Sequence, residues 1–534
     1  MSSKVASKKK QASKELEYVK GYRIPDYVSY LFLAVMFGVY PIIMDDNYFN
    51  ITITRYHTFI YSAGVFIVLM IIAYIAESAL ESYYEGKSLF TLVDKCRCYN
   101  RPDFWMISFI MANTFAWMVA DDQKNALSGQ SGRYMGLFMF IIVAMMFLLM
   151  ANRFKTNMLV FMILAASSAF AYIVAIYQHA GNDFMKYKDR ISAKQYDIFI
   201  STMGNINIFA SFLVITVAVF FAMFVFGDKL VYRVIAGVLL FGGGFVIMIA
   251  NSDSAYLGIG ATAVLLFFLA YKEGYVRRYI GALFLIASGN LGVVLQNRYI
   301  TSVLKMEYDK RGGVAEALDR IDLAVAILAV TAVIYVIVHV CSKVFRDKLE
   351  KLNKKKVIII LLCSMAAGAI AVVIMGIKSG ASLFTFNYKW GTYRGYIWTK
   401  CVELFKDAPM VNKLFGYGNE SLKGLMNSNF RDEMLKVTGK VYDNAHNEVL
   451  QYLVTTGIVG AVSYIGLFVS SFVYMIKNAA KNPVVNISLA VITGYFVQGL
   501  INLNQPITTP FYFVFMALGI GCIRYQKRVR EYDE

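Results

Sequence analysis

The stretch NINIFASFLVITVAVFFAMFVF at residues 205–226 decides the fold of this chain. It contains no charged residue, and as a helix it is long enough to cross the ~30 Å hydrocarbon core of a bilayer. In lipid, only helices and closed barrels satisfy their own backbone polar groups, and a run without apolar–polar alternation is helical. The stretch therefore predicts a transmembrane helix.

Apolar runs of similar length recur along the whole chain. The composition agrees with a membrane protein, because 58% of the residues are hydrophobic and only 16% are charged, against about 45–50% and about 25% in soluble domains. We predict an all-α polytopic membrane protein with about fourteen transmembrane helices, at residues 27–44, 58–76, 104–120, 134–151, 157–178, 205–226, 230–250, 254–271, 279–296, 321–341, 357–377, 457–476, 485–503 and 507–523.

Lysine and arginine residues predict the orientation of these helices, since loops on the cytoplasmic side are enriched in them. The leader 1–26 is basic, and so are alternate loops on its side of the membrane, most clearly 343–356 with seven basic residues. Both termini are therefore expected in the cytoplasm, the C-terminal one as a tail at 524–534. The net charge of +18 is read as this topology signal, and no nucleic-acid partner is expected because no basic soluble domain is present.

The predicted organisation is eleven helices in 27–377, a large extracytoplasmic loop at 378–446, and three further helices in 447–523. Long loops are common locations of function. Two shorter outer loops carry Arg190 and Arg298 against the expected charge bias. An anionic ligand and plain solvated loops both explain this excess.

Four polar clusters interrupt or adjoin apolar runs on the predicted outer side. They are GNINIFA at 204–210, NSDS at 251–254, WGTYRGYIW at 390–398 and YDNAHNEVLQ at 442–451. A site at the membrane interface requires such convergence, but helix caps also use Asn, Ser and Asp. For the cluster at 251–254, capping is the favoured explanation.

His446 lies where the long loop becomes a helix, with Asp443 or Asn444 as the expected cap. We predict that it occupies the first helical turn, where the helix dipole favours the neutral imidazole. A neutral imidazole can accept a proton and act as a general base. An ordinary polar residue at the end of a loop is the simpler explanation of the same pattern.

Arg394 precedes a short amphipathic stretch and shares a face with Trp398 if that stretch is helical. Tryptophan is common at membrane interfaces. An arginine held there can bind phosphate oxygens through two hydrogen bonds, or it can extend to lipid head groups. The outer loops contain no Asp-x-Asp and no His/Cys cluster, so no metal site is predicted; the pair Asp45-Asp46 is read as a simple acidic loop.

With these motifs in view, the chain resembles the O-antigen ligase and polymerase superfamily of bacterial envelope glycosyltransferases. The sequence AHNEVLQYLVTTGIVG at 445–460 is similar to the signature that ends the large periplasmic loop of that family. GNINIFA at 204–210, YRGYIW at 393–398 and LFGYGNES at 414–421 resemble other family elements, in the same order.

The resemblance implies a GT-C-like enzyme at the outer face of the bacterial plasma membrane that uses no metal and no cofactor. It would transfer a glycan from undecaprenyl pyrophosphate with inversion, within the lipid bilayer and alongside other envelope polysaccharide assembly proteins. By that likeness His446 would be the general base and Arg394 would bind the pyrophosphate. Candidate substrate-binding residues are Asn205, Asn207, Arg190, Arg298, Asn447 and Trp398.

One position departs from the family pattern, which often has Ser-Arg where this chain has Ser252-Asp253. An expected cation is missing there, so other basic residues must bind the pyrophosphate, or the substrate differs. We favour a polymerase over a ligase because of the large number of spans. A lipid-linked glycan flippase or other transporter is the alternative, although its ionisable residues should lie at mid-membrane, where these spans are nearly uncharged. A non-catalytic envelope scaffold is a third hypothesis.

Overall fold

The structure is a computed structural model of the chain, and it describes residues 20–85, 100–303, 313–344, 353–380, 384–479 and 482–533. Most of the predicted leader 1–26 lies outside this part. In chain order the helices described are α1 (Ile24–Ala34, continued by a π-helical turn at Val35–Val39), α2 (Ile51–Glu85), α3 (Arg101–Met118), α4 (Gln123–Ser128), α5 (Leu137–Asn152), α6 (Val160–His179), α7 (Ile206–Phe226), α8 (Leu230–Ala250), α9 (Asp253–Glu273), α10 (Val276–Ser302), α11 (Gly313–Leu318), α12 (Ile321–Val344), α13 (Lys354–Lys378), α14 (Trp390–Asp407), α15 (Met410–Phe415), α16 (Leu422–Thr438), α17 (Glu448–Thr455), α18 (Gly457–Ile476), α19 (Pro483–Gly499) and α20 (Thr509–Asp533).

The helices confirm the prediction of an all-α, multi-pass membrane protein. Each of the fourteen predicted spans overlaps one helix of the described chain. Among the described residues, eight helices are long and apolar enough to cross a membrane, namely α2, α6, α7, α8, α9, α10, α12 and α18. Three shorter apolar helices are α1 with its π-helical turn, α5 and α19.

Helix α7, whose sequence decides the fold class, is the centre of the bundle. It packs against α8, α9 and α19, and almost all of its side chains are buried. A helix that is apolar on all sides is expected in such a position, because every face has a protein neighbour.

Glycines bring α8 and α10 unusually close together. A Cβ added at Gly244 would lie 2.2 Å from the carbonyl oxygen of Ile286, and one at Gly289 would lie 2.1 Å from that of Phe241. No side chain fits at these distances, so the backbones of the two helices touch, as small residues allow in membrane bundles. On its other side α10 packs against α12, most of whose apolar side chains are exposed.

The segment predicted as a long loop at 378–446 contains three helices, α14, α15 and α16. Together with α17, which lies in the range assigned to the last three transmembrane helices, they form a small helical unit between α13 and α18. A second hydrophobic core holds the unit together, formed by Tyr396, Ile397, Cys401, Leu404, Leu422, Met426, Met434, Ala445 and Val454. Within this unit, the ammonium group of Lys400 on α14 forms ion pairs with Glu403 on the same helix at 2.9 Å and with Glu433 on α16 at 3.0 Å. The functional motifs therefore lie on a folded support.

A short antiparallel pair, β1 (Phe199–Ile200) with β2 (Gly204–Asn205), precedes α7. The turn between the two strands is anchored by Arg55, which is fully buried. One guanidinium nitrogen of Arg55 donates to the carbonyl oxygens of Pro41, at 3.1 Å, and Thr202, at 2.8 Å. A buried charge is tolerated when its donors are satisfied, and here it fixes the backbone that leads into α7.

Candidate functional site

His446 lies in a turn directly before α17, with a φ of 49°. The cap of α17 is Asn447, whose Oδ1 accepts a hydrogen bond from the backbone N–H of Leu450 at 3.0 Å. The prediction of a cap at Asp443 or Asn444, with His446 in the first helical turn, is therefore wrong. The helix begins two residues after the histidine because the asparagine that follows it is the better-placed cap.

Three hydrogen bonds fix the turn that carries His446. The indole Nε1 of Trp398 donates to the carbonyl oxygen of Ala445 at 3.0 Å, and the backbone N–H of Ala445 donates to Oε1 of Gln451 at 2.9 Å. The backbone N–H of His446 donates to Oδ1 of Asn444 at 2.9 Å. A positive φ is unfavourable for a residue with a Cβ, so these bonds hold the histidine in a conformation that it would otherwise leave.

Arg394 follows a left-handed turn at the start of α14, where Gly391, Thr392 and Tyr393 have φ values of 57°, 59° and 70°. Its Nη1 donates to the carbonyl oxygen of Gly391 at 2.8 Å. Burial lowers the pKa of the Arg394 guanidinium, and Tyr442 and Asp253 nearby act in the opposite direction. The side chain remains a cation, because arginine is not deprotonated in proteins.

The imidazole of His446 is held in its neutral form. Burial lowers the pKa of His446 to about 3, with further lowering by Arg394 and Arg133, while Asp443 acts to raise it. Its Nδ1 is buried and has no hydrogen-bond partner among the residues that the structure describes. A neutral imidazole was predicted from a helix dipole, but the causes in the structure are burial and two neighbouring cations. The imidazole therefore has one unprotonated ring nitrogen at neutral pH as an open acceptor position, although a pKa this low makes it a weak base unless an anion offsets the two cations.

Arg133, which is not among the predicted site residues, reaches this site from the segment between α4 and α5. Its Nη2 lies 3.0 Å from Oδ1 of Asp443. Burial acts against ionisation of Asp443, but the charge and the hydrogen bond of Arg133 hold the pKa of its carboxyl below the usual value. No local motif marks Arg133, since its partner lies 310 positions further along the chain.

Glu420 anchors the segment that carries Arg133. Its Oε1 accepts a hydrogen bond from the backbone N–H of Met135 at 3.0 Å. Burial raises the pKa of Glu420 to about 7, and the N–H groups of Met135 and Arg133 act to lower it. The side chain also lines a small polar cavity together with Asn419 and Asn504. Glu420 belongs to the LFGYGNES stretch, so that motif supports the site indirectly.

The same stretch docks on the end of α17. The backbone N–H of Tyr417 donates to Val454 at 3.2 Å, and that of Gly418 donates to Thr455 at 2.9 Å. Gly416 has a φ of 76°, and a Cβ there would lie 2.2 Å from the carbonyl carbon of Thr455. Only glycine satisfies both the conformation and the contact. The two stretches that resemble the family are thus joined backbone to backbone.

The cluster at 204–210 joins the cluster at 251–254. Asn205 caps α7 by accepting a hydrogen bond from the backbone N–H of Asn207 at 2.9 Å. Oδ1 of Asn207 accepts from the Ser252 hydroxyl at 3.2 Å, and its carbonyl oxygen accepts from Nδ2 of Asn502 at 3.0 Å. Asn205 therefore caps α7, and Asn207 belongs to a partly buried network that ties α7 to α9 and to the segment after α19.

The other two predicted arginines are engaged elsewhere. Arg190 forms a forked ion pair with Asp46, with one N–O distance of 3.0 Å, and Arg298 donates to the carbonyl oxygen of Asp319 at 3.1 Å. Both guanidinium groups are exposed, and neither contact involves His446. A role of Arg190 and Arg298 in substrate binding remains a prediction.

Fold and site together define a multi-pass, all-α membrane protein in which Arg394, on α14, and Arg133, between α4 and α5, both meet the segment that carries a neutral histidine. Residues 320–465 match a family model described as O-antigen ligase, and this range contains Arg394, Trp398, His446 and Asn447. The match confirms the resemblance to the O-antigen ligase and polymerase superfamily over this part of the chain. No curated protein and no solved structure matches the chain.

Proposed function

We propose that this protein is an inverting, metal-independent glycosyltransferase that polymerises undecaprenyl-pyrophosphate-linked polysaccharide units, or ligates them, at the outer face of the bacterial plasma membrane. The observation that carries the proposal is the placement of His446 beside the helix of Arg394, where Trp398, one turn after Arg394 on α14, donates to the carbonyl oxygen of Ala445 at 3.0 Å. Burial, and after it Arg394 and Arg133, lower the pKa of His446 and keep its imidazole neutral. His446 and Arg394 both lie in the segment that matches the family. A base beside a fixed cation suits a reaction that removes a proton and releases an anion.

In the proposed reaction, an acceptor hydroxyl attacks the anomeric carbon of the donor sugar. The new bond joins that carbon to the acceptor oxygen, and the bond between the carbon and the phosphate oxygen breaks. His446 takes the hydroxyl proton, and the lipid pyrophosphate leaves with the electron pair. Arg394 neutralises the developing charge through charge-assisted hydrogen bonds. A single displacement of this kind inverts the anomeric configuration.

The remaining candidates receive different roles in this proposal. Trp398 and Asn447 hold the turn of the base, through the bond to Ala445 and the cap of α17. Asn205 and Asn207, in the network before α9, are proposed contacts of the substrate, as are the exposed Arg190 and Arg298 at greater distance from the reaction.

The proposed topology follows the charge pattern of the sequence. Fourteen spans cross the plasma membrane, the segment 378–446 lies outside between the eleventh and twelfth, and both termini lie in the cytoplasm. Other envelope polysaccharide assembly proteins are proposed partners. Two variants test the sidedness of the site, Asn125→Cys on α4 and Lys423→Cys on α16. We expect a membrane-impermeant thiol reagent to label both from outside intact cells, and labelling only after the cells are opened would contradict the topology.

A reconstituted assay tests the proposed activity. Purified protein in liposomes receives the host's undecaprenyl-pyrophosphate oligosaccharide, and the products are separated by size. We expect a ladder of lengths from a polymerase and a single addition from a ligase. His446→Ala is expected to lower kcat by about 10²–10⁴-fold, the usual contribution of a general base, and Arg394→Ala to abolish measurable turnover. His57→Ala is the matched control, because His57 is exposed on α2.

The assay also separates the alternatives. If lipid-linked glycan crosses the vesicle membrane and no transfer product forms, the protein is a transporter and the enzyme proposal fails. If wild type and His446→Ala make product at the same rate, the histidine is not the base. Equal envelope function of both proteins in cells, without transfer in liposomes, would favour a scaffold.

A further inference from the structure

Arg133 brings a second guanidinium to the histidine from outside the segment that matches the family. It lies between α4 and α5, well before residue 320. Its Nη2 is engaged by Asp443 at 3.0 Å. Its Nε is buried and has no hydrogen-bond partner in the described part of the chain.

Arg394 has the same kind of unused donor. Its Nη1 is engaged by Gly391, while its Nε is buried without a partner among the described residues. Two contacts bring both arginines to the segment of His446. Arg133 pairs with Asp443 at 3.0 Å. Trp398, one turn after Arg394, donates to the carbonyl oxygen of Ala445 at 3.0 Å. A buried donor without an acceptor costs free energy. Two such donors on planar, forked cations around one base suit a ligand with several anionic oxygens, as in a diphosphate.

We propose that Arg133 is a second pyrophosphate-binding residue and takes, together with Arg394, the role of the cation that is missing at Asp253. This inference rests on the function proposed above and names a residue for the same donor site. Asp443 then serves as the internal counterion of Arg133 while the site is empty. Glu420 positions Arg133 by holding the backbone of its segment.

The partial exposure of Arg133 and Asp443 agrees with a role of Arg133 in binding a ligand. The side chains of Arg133 and Asp443 are 30% and 32% exposed, so a ligand can reach them while they are still partly shielded from water. The pair of Arg320 and Asp322 is different, with exposed fractions of 64% and 68%. Solvent screens such a surface pair, which makes Arg320 a suitable control.

Binding is measured apart from catalysis. Wild type and variants in nanodiscs are titrated with undecaprenyl pyrophosphate that carries no glycan, and kcat/KM for the glycosylated donor is measured in parallel. We expect Arg133→Ala to weaken lipid binding by roughly 10- to 100-fold, the usual effect of losing a hydrogen bond to a charged group. Arg320→Ala should leave binding within about twofold of wild type.

The Asp443→Asn variant distinguishes a role of Arg133 in binding the pyrophosphate from a purely structural role of its ion pair with Asp443. If Arg133 binds the pyrophosphate, removing its internal counterion leaves the affinity unchanged or increases it. If the pair only supports the fold, Asp443→Asn weakens binding as much as Arg133→Ala does, and the inference is overturned. Equal affinity of wild type and a folded Arg133→Gln variant would overturn it as well. If wild type neither binds the lipid nor transfers glycan, the proposed function itself has failed.

Discussion

The state of His446 makes a quantitative prediction for the pH dependence of the reaction. With a pKa of about 3, about 1% of the imidazole is protonated at pH 5. A histidine with the ordinary pKa of ~6.5 would be about 97% protonated at that pH and would retain only about 3% of its activity as a base. The two cases differ by roughly 30-fold in rate at pH 5.

The assay is kcat/KM for the lipid-linked donor between pH 5 and pH 8, because this ratio reports the protonation state of the free enzyme. Protonation of a general base lowers the rate as the pH falls. We expect protonation of His446 to lower kcat/KM by no more than about twofold between pH 5 and pH 8. His57→Ala is the control for a histidine outside the site.

The effect of protonating Glu420 must be distinguished from that of protonating His446, because burial raises the pKa of Glu420 to about 7. Its protonation could change the position of Arg133 and thereby the rate. The profile is therefore repeated with Glu420→Gln, which keeps the acceptor oxygen and does not ionise. A rate that falls below pH 6.5 in wild type and also in Glu420→Gln would refute the reasoning, since His446 would then titrate like an exposed histidine.

Three further predictions concern the surroundings of the base. Glu420 has a folded-state pKa above its ordinary value of 4.5, so the folded protein binds more protons between about pH 4.5 and pH 7. Wild type should therefore lose roughly 3 kcal/mol of stability relative to Glu420→Gln as the pH rises through this window, while the contributions of His446 and Glu448 are common to both proteins and cancel in the comparison. The difference in Tm between the two proteins, followed from pH 4.5 to pH 7, measures this. Glu448 accepts hydrogen bonds from two buried tyrosine hydroxyls, so Glu448→Ala should cost about 2–5 kcal/mol and Glu448→Gln clearly less, as measured by Tm. Asp253 lies close enough to act on the charge of Arg394, and Asp253→Asn should lower the KM for the donor by about two- to fivefold, whereas an increased KM would show that Asp253 binds substrate.

The helices could be predicted from the sequence because lipid leaves the chain few choices. An apolar run of about twenty residues satisfies its backbone only as a helix. Each predicted span overlaps a helix, and eight helices of the described residues are long and apolar enough to cross a membrane. The position of His446 at the end of the long segment was also visible, since its motif is local. Trp398 was predicted to share a face with Arg394 and to bind substrate, and its bond to the residue before the histidine could not be read from its motif.

The remainder of the site depends on contacts that no local pattern records. Arg133 and Asp443 are far apart in the chain, and they meet because the segment before α5 is bonded to the outer helical unit through Glu420 and Lys423. The cap was misassigned because four polar residues compete for it within 443–447, and only the three-dimensional path decides among them. Arg190 and Arg298 were chosen by charge alone, and surface charges have many possible partners.

Three consecutive residues explain how the base is held in its unusual conformation. Glu448 anchors the start of α17 inside the bundle through the hydroxyls of Tyr464 and Tyr495. Asn447 caps that helix, which stops the helical conformation before it reaches His446. The histidine is therefore attached to a rigid point but is itself outside the helix, with a positive φ. In the proposed reaction, His446 therefore keeps its position relative to Arg394 when one acceptor molecule leaves and the next one binds. The reason is that Glu448, which fixes the start of α17, is held inside the bundle.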